Sequence, residues 1–322
     1  MIFKSTITNN TFSAKNNRSR KFMSDYEKIL VVYNPISGKK RHNIRERIAQ
    51  SFARYSLAPT MIETDPEGDY SGVIFRRFDL VVIAGGDGTV NQVVTHLLRQ
   101  KAQIPIAIIP VGSANLLASF MGIPPSIKRA VDVALSYKAI SYDVAVVNRE
   151  HCFLVAMGIG YDAIVMNITK RSLKRLFGFW AYAISMLQEL FHVREANFDL
   201  NIDGSRVQRH AKTIFIMNIG RFFKIDFGPK VSPMDGRVDT AVVRPVSPFD
   251  IFKLFIGLVS KRFFIRGRLE YFPSKRLKIH YDKQIPVHLD GEVVKITSPI
   301  EIVTQPRAIS IVSVHPVQAC KV

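Results

Sequence analysis

At 322 residues, with 47% hydrophobic and 22% charged side chains, the chain is long for a single core and has the composition of an ordinary folded protein of two domains. Its cysteines, Cys152 and Cys320, exclude a disulfide framework and fit no metal-ligand spacing, which points to a reducing cytosol. Lys plus Arg at 45 against Asp plus Glu at 26 leaves a net charge of +19, which narrows the partners to nucleic acid, an anionic lipid surface or a polyphosphate.

Residues 1–24 are polar, rich in Asn, Ser and Lys, and lack the apolar run of a secretory signal, so they read as a basic, flexible tail. From Lys28 short apolar strands alternate with longer mixed segments: ILVVY, a basic segment from Lys39 to Tyr55, PTMIET, LVVIAGG, a segment through His96 to Arg99, then IPIAIIPVG. Strands separated by helix-length segments predict βαβ units, and so a doubly wound α/β domain with a parallel sheet over residues 25–143.

Three of these strands run into small-residue turns. LVVYNPISGKK leads into Asn34, Pro35, Ser37 and Gly38. VVIAGGDGTVNQ places Gly85, Gly86 and Gly88 where a strand gives way to a helix, the position at which free backbone N–H groups and the helix dipole favour an anion. Asp87 between them would repel a bare phosphate, which suggests a metal-nucleotide; Thr89 and Asn91 add donors. AIIPVGSANLLASFMG is the third, with Gly112, Ser113 and Asn115. A parallel sheet sets such turns along its carboxyl edge, where together they form a pocket. Alone, Gly-Gly-Asp-Gly is also a plain chain reversal, and neither the Rossmann spacing nor the Walker lysine motif is present.

After about Tyr142 the pattern changes to strand-like runs parted by turn residues, predicting a mainly antiparallel β-sandwich over residues 144–322, with its C-terminal end packing back on the first domain as one option. Two helical stretches interrupt it, one carrying Leu173, Leu176, Phe177, Trp180, Ile184, Leu187 and Phe191, the other Ile251, Leu254, Phe255 and Leu258. The basic runs Lys170–Arg175, Lys261–Arg268 and Lys275–Lys278 interleave Phe or Leu, favouring a lipid interface over nucleic acid, with solvated faces as the plain alternative. No apolar stretch reaches the roughly 20 residues of a spanning helix, so a membrane role would be peripheral. The histidines show no close pairing for zinc. MDGR and LDGE are good hairpin turns, because Asp-Gly accepts positive φ.

Taken in order, NPISG, GGDGTVNQVV and PVGSANLLA resemble the diacylglycerol kinase catalytic domain, the lipid kinase family that includes bacterial diacylglycerol kinases, sphingosine kinases and ceramide kinase. The resemblance spans roughly Lys28 to Glu301. It implies a cytoplasmic, peripherally membrane-associated enzyme that uses ATP and Mg2+ to phosphorylate a lipid hydroxyl. Nucleotide contacts would fall on Asn34, Pro35, Ile36, Ser37 and Gly38, on Thr64, on Gly85, Gly86, Asp87, Gly88, Thr89, Val90, Asn91 and Gln92, and on Ser113. GIGYDA implies Asp162 facing the lipid headgroup. SPMDGRVD resembles the magnesium segment, with the Asp235 carboxylate and the carbonyls of Ser232 and Arg237 as ligands. HLDGE implies Glu292 as proton acceptor, with Asp290 as the alternative base. Gln92 stands where many members have glutamate, and Leu116 where aspartate is common. The competing readings are a NAD kinase-like small-molecule kinase, which also uses a Gly-Gly-Asp-Gly turn, and a non-catalytic lipid- or nucleic-acid-binding module; a homodimer is a further expectation.

Overall fold

The computed structural model describes residues 26–37, 43–65, 67–160, 195–222, 225–226, 231–243, 269–282 and 285–314. The tail, Gly38, Asp162, both expected amphipathic helices and the basic runs Lys170–Arg175 and Lys261–Arg268 lie outside the described residues.

Uninterrupted apolar runs become the centre of a parallel sheet. Strands β1 (Ile29–Tyr33), β3 (Leu80–Gly85) and β4 (Pro105–Pro110) are buried along nearly their whole length, as strands covered on both faces must be. β1 pairs in parallel with β3 and β3 with β4, while the more exposed β2 (Thr60–Glu63) closes the edge beside β1. Helix α1 (Ile44–Ala53) buries Ile44, Ile48 and Phe52, and α2 (Asp87–Arg99) buries Val90, Val93, Val94 and Leu97. After the short α3 (Leu116–Phe120), α4 (Ile127–Ser136) buries Ile127, Ala130, Val131 and Ala134. Each set recurs at three- and four-residue spacing, the single apolar stripe by which a helix lies on a sheet.

Strand β5 (Ala139–Val147) passes from one core to another: Tyr142 and Val144 pack with the parallel sheet, Ala145 and Val147 with the second core. There follow β6 (His151–Phe153), β7 (Ala156–Gly160), β8 (Ala196–Ile202), β9 (Ser205–Ala211), β10 (Thr213–Met217), a ribbon of β11 (Arg221–Phe222) with β12 (Ile225–Asp226), β13 (Val238–Val243) and β14 (Leu269–Ser274). Then come β15 (Arg276–Tyr281), β16 (Val287–Leu289), β17 (Glu292–Val294) and β18 (Ile300–Val312). The antiparallel layer β14-β13-β10-β7-β16-β17 faces the layer formed by β5, β18, β15, β8 and β9. Ile159, Ile214 and Val287 from the first meet Phe198, Leu277 and Ile300 from the second, giving the sandwich expected.

The last strand joins the two halves. β18 pairs antiparallel with β15 and β5, and near its end in parallel with β4 through Ser310 and Ile311. Its Ile300 and Ile302 belong to the sandwich core, Ile309 and Ile311 to the α/β core. Each such buried side chain stabilises by about 1.5–3 kcal/mol, so one strand fastens both. Where its register shifts between Gln305 and Ile309, the buried Asp143 carboxylate accepts the Arg307 N–H at 2.7 Å.

Candidate active site

All three small-residue turns emerge at the carboxyl ends of β1, β3 and β4, which are neighbours in the sheet. After β1, the Asn34 N–H donates to Ala84 O at 2.9 Å, and its side-chain Oδ1 accepts the Ile36 N–H at 3.0 Å, a local turn made by the asparagine itself. Ile36 stands 68% exposed at the lip. Thr64 continues the ladder past β2, its N–H on Tyr33 O at 2.9 Å.

The second and third turns touch backbone to backbone. A Cβ on Gly112 would fall 2.4 Å from the Gly86 α-carbon and 2.8 Å from Asn115 Oδ1, so neither loop could come so close with a side chain at residue 112. Asn115 adopts a left-handed conformation at φ 49° and donates to Gly112 O at 2.8 Å, while its buried Oδ1 has no partner among the described residues. Ser113 is exposed beside it.

Several residues expected to face nucleotide are otherwise engaged. The Asp87 carboxylate accepts the Leu116 and Leu117 N–H groups, each at 3.0 Å, and so supplies from another helix the cap that Asn115 does not make on α3. Burial raises its pKa while those backbone donors oppose the rise. Thr89 is buried with its side chain folded over Gly85. Val90 packs in the core and gives its N–H to Gly86 O at 3.1 Å. The Asn91 amide turns to the other lobe, donating to Cys152 O at 2.7 Å and Asp290 Oδ2 at 2.8 Å. Gln92 lies against Gly68. On α2 the open edge is therefore the start of the helix, Gly86 to Gly88.

Into that edge comes Glu292. The LDGE segment is indeed a hairpin: Asp290 at φ 49° and Gly291 at φ 90° make a two-residue turn between β16 and β17, with Leu289 opposite Glu292. Being a turn does not stop it from carrying chemistry. A Cβ on Gly88 would lie 2.0 Å from Glu292 Oε1 and 2.6 Å from its carboxyl carbon, so the acid rests on the glycine turn. Its side chain is exposed and makes no hydrogen bond among the described residues. Asp290 is the opposite case, with both oxygens filled: Oδ2 accepts Asn91 Nδ2 at 2.8 Å and Leu154 N at 2.9 Å, and Oδ1 accepts Val155 N at 2.8 Å and Ala156 N at 3.1 Å. Burial pushes its pKa up to about 6, against the pull of these donors, which still leaves it ionised at neutral pH. It is a poor candidate for accepting a substrate proton, because no lone pair faces the pocket.

The Ser232–Asp239 segment is tied to β5, Asp143 N donating to Pro233 O at 2.7 Å and Asp143 Oδ2 accepting Gly236 N at 2.6 Å. Asp235 Oδ1 accepts Arg237 N at 3.0 Å. Burial, with the nearby Asp143 charge, raises the Asp235 pKa, and burial with the Asp235 charge lifts Asp239 to about 6. The buried Ser232 Oγ has no hydrogen-bond partner among the described residues. Crowded carboxylates beside an orphaned hydroxyl fit a hard divalent cation held by oxygen. No cluster of three His, Cys, Asp or Glu side chains stands ready among the described residues, so backbone carbonyls would have to complete the shell.

One functional feature escaped the sequence reading: a polar stripe along α2. Gly88 meets Glu292, Asn91 meets Asp290 and Cys152, Thr95 Oγ1 lies 3.2 Å from Cys152 Sγ, and Arg99 donates to Glu150 O at 3.1 Å. The spacing of three, four and four residues was visible, on the side opposite the apolar one; its partners were not.

Both halves of the chain are similar to known proteins. Residues 28–147 match the family model of the diacylglycerol kinase catalytic domain, and residues 155–313 that of the YegS C-terminal NAD kinase beta sandwich-like domain. A diacylglycerol kinase of Bacillus subtilis (strain 168) is 25% identical over 271 residues, 81% of this chain and 88% of that protein. The crystal structure of a diacylglycerol kinase from Bacillus anthracis str. Sterne superposes with a TM-score of 0.74 at 24% identity, covering 91% of this chain and 99% of the other, and shares its fold.

Proposed function

We propose that this chain, which belongs to the diacylglycerol kinase catalytic domain family, transfers the γ-phosphate of ATP, with magnesium, to a hydroxyl of a membrane lipid of diacylglycerol or sphingoid type. The observation that carries the reading is the contact between Glu292 of the sandwich and Gly88 of the nucleotide turn. Residues 25–143 would bind nucleotide through the turns around Asn34–Ser37, Gly86–Gly88 and Ser113, and residues 144–322 would bring the lipid and the acid. A lipid hydroxyl is a weak nucleophile near pH 7, so a carboxylate within hydrogen-bond reach accepts its proton as the bond to phosphorus forms. Glu292, exposed and without a hydrogen bond among the described residues, has its oxygens available for that task; Asp290 does not.

The Asp235 carboxylate with the carbonyls of Ser232 and Arg237 would hold magnesium, which when bound neutralises charge near the transferred group. Backbone donors at the glycine turns would orient the phosphates, and positioning supplies much of the remaining acceleration. Asp162 is proposed as the headgroup contact on the resemblance alone. Association with an anionic membrane surface is supported by the +19 charge, and no helix of the described residues is long and apolar enough to cross a membrane.

The test is incubation of purified protein with labelled ATP, magnesium and a panel of lipids. Label in an organic-phase product supports the reading. Transfer to NAD with none to any lipid would select the NAD kinase-like alternative, and salt-sensitive vesicle binding without turnover the non-catalytic one.

A further inference from the structure

Two contacts join the same face of α2 to the same hairpin turn. Gly88 and Asn91, three residues apart, are neighbours on the helix surface, and they meet Glu292 and Asp290, two residues apart across the turn. Asp290 goes further: its carboxylate gathers three consecutive N–H groups, Leu154 to Ala156, from the segment entering β7, and its own N–H donates to Ala156 O at 2.9 Å. The adjacent Gly291 N–H donates to His288 Nδ1 at 3.3 Å. Asn91 is fixed in turn by Cys152 O. Among the described residues nothing comparable holds the Glu292 side chain, whose location therefore depends on where the turn is held.

We propose that Asp290, locked to Asn91 of α2, is the positioning residue that sets where the Glu292 carboxylate meets the nucleotide turn. The inference rests on the proton-accepting role proposed for Glu292. The clamp crosses between lobes: Asn91 belongs to the helix that begins at the phosphate-facing glycines, Asp290 to the strand pair that carries the acid. Loss of the Asn91–Asp290 hydrogen bond leaves both carboxylates in place but frees the turn to drift from Gly88, and a displacement of about 1 Å at a reacting group costs on the order of 100-fold in rate. Replacing Asp290 by Asn keeps its size and puts an amide N–H2 among N–H donors that require an acceptor.

The test compares wild type, Asn91→Ala, Asp290→Asn and Glu292→Gln by steady-state kinetics across pH and by hydrogen–deuterium exchange. Asn91→Ala and Asp290→Asn are expected to lower kcat by about 10- to 100-fold with KM for ATP nearly unchanged and to raise exchange in residues 287–294. Glu292→Gln should leave that exchange as in wild type. Wild-type kcat in both clamp variants, or a fall in Asp290→Asn with Asn91→Ala at the wild-type rate, overturns the proposal, the first making the clamp merely structural and the second making Asp290 the base. If wild type phosphorylates no lipid, the functional reading fails by itself. Exchange then decides the clamp: unchanged exchange over residues 287–294 in Asn91→Ala overturns it.

Discussion

Glu292 and Gly88 share one small volume: the Glu292 carboxylate occupies the space a methyl group on Gly88 would need, 2.0 Å from its Oε1. The obstruction is the far end of a flexible side chain, so alanine at residue 88 would move the acid and spare the fold. Because the residue lies in the first turn of a helix, the substitution should itself favour folding by about 0.5–1 kcal/mol. Gly88→Ala is therefore expected to match or exceed wild type in thermal midpoint while losing on the order of 10- to 100-fold in kcat. Melting curves and phosphotransfer rates on the same preparation check this. Unchanged kcat would show that the contact is incidental.

Asp87 bears on the architecture before it bears on any ligand. Its two oxygens take the first N–H groups of α3, so Asp87→Ala leaves them unsatisfied and should cost about 0.5–2 kcal/mol. Because α3 follows the Gly112 turn that touches Gly86, KM for ATP should rise as well. Denaturant unfolding and an ATP titration measure the two effects; undiminished stability would contradict the cap.

Asp290 has a folded pKa raised to about 6 by burial, above the ordinary aspartate value of about 3.9. Between these values the folded state binds more protons than the unfolded one, so this group's contribution to stability is fully present below the lower value and is lost as pH rises through about 6. From roughly pH 4 to 6 the slope of unfolding free energy against pH should be more negative in wild type than in Asp290→Asn. Slopes separate this effect from the constant penalty of donors left unmatched in the variant. Parallel curves would remove it.

Magnesium should stabilise the protein if the Asp235 segment holds it, since a ligand bound only by the folded state raises the midpoint, by about 2.7 kcal/mol at 100 times its dissociation constant. Burial, with carboxylate repulsion second, raises Asp235 and Asp239, and a bound cation would offset both effects. Thermal melts with and without magnesium are expected to differ for wild type and to coincide for Asp235→Asn. An equal shift in both proteins places the ion elsewhere.

Much of the fold could be read from pattern. Continuous apolar runs ending in small residues predict buried parallel strands with ligand-facing turns, and β1, β3 and β4 are such strands because both their faces are covered. Alternating runs after β5 likewise gave the sandwich. Residue roles within GGDGTVNQ were less legible. Motif position treats the eight residues alike, but a helix turns each by about 100°; Val90 faces the core, Asn91 the sandwich, and Asp87 the start of α3. The pairing of Asn91 with Asp290 joins residues 199 apart in sequence, and no local pattern encodes such a partner. Aspartate before glycine signalled a turn, and only the four donors around it revealed why aspartate stands there.

The most direct measurement of the central claim is phosphate transfer from ATP to a lipid hydroxyl by Glu292→Gln, set beside wild type across pH. Glutamine keeps the shape against Gly88 and cannot accept a proton. The account predicts a fall in kcat of about 100- to 10,000-fold and an ATP affinity close to wild type. A variant that turns over at the wild-type rate would contradict it.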